Sequence, residues 1–320
     1  MKTKQLISTA FIMLAIALLA TLGISQPETI IPALNSFLMI GLGLVLGFYL
    51  SHRFGLPWGL FGAGALTFIA SQILHIPFNL YLLNPFLAQI APQPGPGSRS
   101  LIIWGLLLGL SAGIFEETAR YLVLRFWRKE VQSWKQTIMF GAGHGGIEAI
   151  ILGIIGFISF LQLLFYRRFG VESLVPSGQA EAIQTTLYTY WNFNWYEHLW
   201  GALERFSVIP IHLSATVLVY QSLRRKNILW YLAAIGWHTL VDFIAVYAGQ
   251  SWGIPATEAV LAGLGLLGWG IVFLLRDSHP PPSVLPQPSP ESSIPPAPVS
   301  KPVVQEQPIT KESLEESRYE

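Results

Sequence analysis

Along this chain, long apolar runs alternate with short polar breaks. Eight such runs stand out, roughly at residues 5–25, 31–50, 57–80, 101–127, 137–166, 200–222, 228–248 and 255–275. Each has about the 20 residues that a helix needs to cross the hydrocarbon core of a bilayer. Backbone N–H and C=O groups in lipid find partners only within their own helix, so the runs predict helices rather than open strands. The expected fold is all-α: a polytopic transmembrane helical bundle of about eight spans over residues 1–276, without an internal repeat. The first run follows Lys2 and Lys4 and reads as a cleaved signal peptide or as an anchor. The length of Ile7 to Ile24, with no small-x-small site after it, favours the anchor. The pattern ends near residue 276. Residues 277–320 hold eleven of the 22 prolines with much Ser, Gln and Glu, which predicts a disordered cytoplasmic tail.

Composition agrees with lipid as the solvent. Hydrophobic residues make up 52% and charged residues 12%, about half the usual share for a soluble domain. A net charge of +1 argues against nucleic acid as a partner. There is no cysteine, which excludes disulfides, thiolate nucleophiles and thiolate metal sites. Any metal would need His and carboxylate ligands, a set that suits zinc or another borderline first-row ion. If the first span starts inside, eleven Lys and Arg residues fall on the cytoplasmic side and three (Arg99, Arg167, Arg168) on the other. The expectation is a multi-pass protein of the plasma membrane with both termini cytoplasmic. Of the two long outer loops, 167–199 ends in Tyr188, Tyr190, Trp191, Phe193, Trp195 and Tyr196, read as an interfacial belt or as a substrate-gating lid.

Ionisable side chains at bilayer depth are costly and need partners. The fourth run contains Glu116, Glu117 and Arg120, spaced so that the arginine can reach either carboxylate. Two carboxylates sharing one cation leave one under-neutralised, which suits a general base. The fifth run places His144 and Glu148 one turn apart, among Gly141, Gly143, Gly145 and Gly146, which would admit a neighbouring helix. The seventh repeats the spacing with His238 and Asp242, the sixth carries Glu204, Arg205 and His212, and the third carries Gln72, His75 and Asn79 on one face. Any single intramembrane His could be helix–helix glue. Several spans, each with such a pair, point instead to one shared site.

In their order and placement, Glu116-Glu117-x-x-Arg120, His144-x-x-x-Glu148, Glu204-Arg205 with His212, and His238-x-x-x-Asp242 resemble the YhfC-type intramembrane metalloproteases. That family is grouped with the CAAX-processing and bacteriocin-processing (CPBP, ABI-type) proteases, the PrsW proteases and the APH subunit of gamma-secretase. The resemblance covers residues 1–275 or so. It implies that Glu116 activates water, that Glu117 and Arg120 are mainly structural, and that His144, His238 and Asp242 are the later motif residues. Arg120 follows the Glu pair after two residues where the CAAX-type proteases usually have three, and Glu148 and His212 are additions.

The expected activity is hydrolysis of a peptide bond in or beside the membrane, with a membrane peptide or membrane protein as substrate. His144, His212 and His238 would ligate zinc or act on water directly, and Glu148 and Asp242 would orient imidazoles or serve as ligands. Two alternatives stay open: a non-catalytic membrane scaffold, and a transporter with an intramembrane proton relay. Gly109-Leu110-Ser111-Ala112-Gly113 matches the G-x-S-x-G pattern, but inside a predicted helix it lacks the strand–turn–helix setting of a nucleophile elbow. A lone intramembrane Asp and the absence of H-E-x-x-H argue against aspartyl and site-2-type proteases.

Overall fold

A computed structural model describes residues 27–276. The predicted first span (5–25) and the predicted tail (277–320) lie outside the described residues. The other seven runs each coincide with a helical stretch long and apolar enough to cross a membrane, and there is no strand among the described residues.

The helices are α1 (Pro27–Phe54), α2 (Trp58–Phe78), α3 (Asn84–Ile90), α4 (Arg99–Leu122), α5 (Trp134–Phe169), α6 (Ser177–Trp191), α7 (Trp200–Arg224), α8 (Leu229–Ser251) and α9 (Ile254–Leu274). A π turn, Asn79–Leu83, joins α2 to α3, and a second, Val123–Trp127, extends α4. Local chemistry sets the ends. The Ser98 hydroxyl caps α4 by accepting from Leu101 N–H, and Ser133 with Gln136 forms a capping box on α5. Gly170 closes α5 with φ +82°, a value that L side chains rarely adopt.

α7 is the central helix. Most of its residues from Ile209 to Ser222 are buried, and it packs against α5, α8 and α9. The outer faces of the other helices expose large apolar side chains, such as Phe37 and Phe48 on α1, Ile73 and Leu74 on α2, and Leu266 and Leu274 on α9. So extensive an apolar exterior is suited to acyl chains rather than water.

Two close helix contacts fix the site's geometry. Where α2 meets α5, a Cβ on Gly64 would collide with the Phe140 carbonyl and one on Gly143 with the Phe61 carbonyl. Where α4 meets α8, a Cβ on Gly109 would stand 2.7 Å from Thr239 O and one on Gly113 2.9 Å from Ile235 O. Small residues let backbones approach in this way where no hydrophobic effect drives helices together.

Candidate active site

Gly105, Gly109 and Gly113 recur every four residues, so they form one stripe of α4, and the next position on that stripe is Glu117. The contact made by the glycines delivers Glu117 to α8, where His238 Nδ1 donates to Glu117 Oε1 at 2.7 Å. Arg120, on the same turn of α4, also bonds Glu117 Oε1 and holds its second amino group 3.6 Å from Glu116 Oε2. Arg120, Glu117 and His144 are fully buried, and Glu116, His212 and His238 are 5% exposed. Unpaired charges at such positions would cost several kcal/mol each, which accounts for the density of bonds among them.

The glycine-rich turn of α5 brings His144 to the other side of Glu116. His144 Nε2 lies 3.0 Å from Glu116 Oε2, its ring meets Phe68 edge-on, and its Nδ1 is buried without a hydrogen-bond partner. Glu116 Oε1 accepts from the Gln72 amide at 3.0 Å.

α7 contributes His212. An Arg120 amino group donates to His212 Nδ1 at 2.9 Å, so the ring's proton sits on Nε2. That Nε2 is 2.6 Å from Glu148 Oε2, a close contact that lacks hydrogen-bond alignment. Glu148 Oε1 accepts from Arg205 at 2.5 Å, and Arg205 also bonds Glu204. His238 has the opposite polarity at Nδ1. Its Nδ1 proton goes to Glu117, and its Nε2 faces two carboxylates, 3.9 Å from Glu116 Oε2 and 3.6 Å from Asp242 Oδ2, a setting that favours an N–H there as well. Glu117 and Arg120 thus orient two facing imidazoles, each through a bond at its Nδ1.

A cavity of about 110 Å³ lies beside these groups, with Glu116, Glu148, His212, His238 and Asp242 among its polar lining. That is ample for several waters. It extends to Glu204 and Arg205 along an apolar wall that includes Val208, Val241 and Leu261.

Glu116, His144 and His212 each offer a ligand atom, all within 4.8 Å of one another. Oxygen and imidazole donors at that spacing fit a zinc-like ion, and the unpartnered His144 Nδ1 leaves that ring free to present either nitrogen. Such an ion would replace the Glu116–His144 hydrogen bond and share His212 with Arg120. Of the three histidines expected as ligands, His144 and His212 are in this group, Glu116 takes the third place, and His238 stands at its edge.

Residues 37–263, well over half of the chain, match the family described as YhfC intramembrane metalloprotease. The chain belongs to the YhfC family. It is 30% identical over 231 residues to the uncharacterized membrane protein YhfC of Bacillus subtilis (strain 168), covering 70% of this chain and 86% of that one. No solved structure matches it. Within the region matched to the YhfC family, the structure brings Glu116, Glu117, Arg120, His144, Glu148, His212, His238 and Asp242 into one cluster. Glu148 serves His212 and Arg205 rather than His144, its neighbour one turn away. Gln72 was recognisable only as one of three polar residues on a helix face, and its contact with Glu116 emerges from the packing of α2 on α4. Ser111 lies within α4 and donates to Asn79, so G-x-S-x-G forms no elbow here.

Proposed function

We propose that this protein is an intramembrane peptidase in which Glu116 activates water. The observation that carries the reading is a water-sized cavity, walled by Glu116 and His238, within a bundle of lipid-facing helices. Glu116 Oε2, on the His238 side, would take a proton from a cavity water. The resulting hydroxide attacks the peptide carbonyl carbon, and the same proton passes to the leaving nitrogen as the C–N bond breaks. His238 Nε2–H would hold the attacking water by donating to its oxygen, and His212 Nε2–H would donate to the developing oxyanion. Glu117 and Arg120 hold those two rings in the orientations this requires. Asp242 faces His238, and Glu148 steadies His212.

If a metal takes part, Glu116, His144 and His212 would hold it, with His238 adjacent. A bound zinc-type ion would acidify water and polarise the carbonyl. The substrate would be a membrane peptide or membrane protein, reaching the site through lipid. The plasma membrane, with positively charged loops and both termini cytoplasmic, is the proposed setting. The kinship with CAAX-type and PrsW proteases rests on the motif order, and the chemistry above is argued from this chain's own residues.

The test is to purify wild type, Glu116→Gln and His238→Ala in detergent, measure bound metal by elemental analysis, and screen a membrane-peptide library. Cleavage in wild type and its loss in both variants is the expected result. About one metal per chain would make it a metalloprotease, and full activity in chelator without metal would assign the chemistry to Glu116 and the histidines alone. A folded wild type that cleaves nothing across the library would sink the peptidase reading and leave a scaffold or a proton relay.

A further inference from the structure

A row of polar side chains leads from Glu116 along the α2–α4 contact, and the hydrogen-bond donors and acceptors give it a fixed sense. A carboxylate only accepts, so Gln72 must turn its amide N–H toward Glu116 Oε1, at 3.0 Å. The Gln72 carbonyl oxygen then faces His75 Nδ1 at 3.3 Å, which places the His75 proton on Nδ1. His75 Nε2 is left as an acceptor, 2.9 Å from the Asn79 amide nitrogen and 2.8 Å from Ser111 Oγ. The single Ser111 hydroxyl proton is shared between Asn79 Oδ1, at 2.6 Å, and His75 Nε2. The His75 ring stacks on Phe115, the residue before Glu116, with centroids 5.4 Å apart. Asn79 opens the π turn, and such turns recur at functional positions.

We propose that Gln72 and His75 are positioning residues that dedicate Glu116 Oε1 to accepting a hydrogen bond, so that Oε2 is the oxygen turned toward His144 and His238, where a proton is taken from water. Turning the Gln72 amide over would set its carbonyl oxygen against the Glu116 carboxylate and its N–H against His75 Nδ1–H. Relieving this second clash requires the other His75 tautomer, whose Nε2–H would face the Asn79 amide. The alternative arrangement therefore demands concerted change in Gln72, His75 and Asn79, which is what makes the row a lock rather than a set of independent contacts. Its consequence for catalysis rests on the peptidase reading. The orientation of Glu116 does not.

The experiment uses the full chain in detergent, with Gln72→Met, His75→Phe, His75→Asn and Glu116→Gln. Infrared spectra of each, with the Glu116 carboxyl bands assigned by their loss in Glu116→Gln, report on Glu116 without any substrate. His75→Phe keeps the stack on Phe115 and serves where Gln72→Met does not fold. His75→Asn retains an N–H near the Nδ1 position. Expected are shifted Glu116 bands in Gln72→Met and His75→Phe and native bands in His75→Asn. With a peptide that wild type cleaves, kcat should fall about 10- to 100-fold in the first two at nearly constant KM, and recover in His75→Asn. Native Glu116 bands in Gln72→Met and His75→Phe, or shifted bands in His75→Asn equal to those of His75→Phe, would overturn the proposal. If wild type cleaves nothing while the bands shift as expected, the lock stands and the peptidase reading falls.

Discussion

The charged cluster has a sealed half and an open half. Around Arg120, the groups are at most 5% exposed and each is bound on several sides: the guanidinium touches Glu117, Glu116 and His212, and Glu117 also takes His238. Around Arg205, the pairing is similar in kind, but Glu204 is 38% exposed and Glu148 17%. Asp242, on the cavity wall, is 37% exposed. The same chemical groups thus do different work. In the sealed half, desolvation makes each bond conditional on all the others, so the groups fix ring orientations and helix positions. In the open half, water can replace a lost partner, so the groups are available for access and exchange.

The largest effect should come from Arg120→Leu. It strands Glu117 in a site without water, with His238 as its remaining partner. Breaking one side of a buried pair costs about 3–5 kcal/mol. A large fall in the unfolding midpoint of the purified protein is expected, and Glu117→Leu added to Arg120→Leu should recover part of it. If Arg120→Leu melts like wild type, the sealed half does not hold the fold together.

Next in size is Gly113→Leu. The added side chain must displace α8 at Ile235 and Thr239, one turn from the Glu117–His238 bond. Overpacking of this kind costs about 1–3 kcal/mol. Gly236→Ala, on α8 but with no atom within 4 Å of its Cβ position, supplies the control and should change little. Comparable midpoints for the two variants would show that the glycine stripe does not set the α4–α8 distance.

The seven described spans were legible because each apolar run is long enough to cross a bilayer. So were the intrahelical pairs, such as His238 with Asp242, because helical period alone puts residues four apart on one face. Partner choice between helices was not legible. The spacing puts Glu148 on one face with His144, yet α7 supplies Arg205 and His212 to Glu148, and a cation on a facing helix is a stronger partner than an imidazole one turn away. The glycine stripe was present in the sequence as Gly105, Gly109 and Gly113, but two of its members also belong to a serine-elbow pattern, and attention to that motif obscures the four-residue repeat. Gln72 had no signal beyond sharing a face with His75 and Asn79. Its role depends on which helix lies opposite, and periodicity within one helix carries no information about that.

The smallest effect separates the two halves most cleanly. Glu204→Gln removes one of two carboxylates from Arg205 but leaves Glu148 Oε1 at 2.5 Å. Because Glu204 is more than one-third exposed, its attraction to Arg205 is screened, and exposed pairs contribute less than about 1 kcal/mol. The midpoint should therefore barely move. Glu204 also lines the cavity, so the same change alters the charge met by anything entering from that end, and any effect on cleavage should appear in KM rather than kcat. A midpoint loss as large as that of Arg120→Leu would mean that the Glu204–Arg205–Glu148 group is as structurally committed as the Arg120 group. The distinction between a sealed half that holds the fold and an open half that admits water would then be lost.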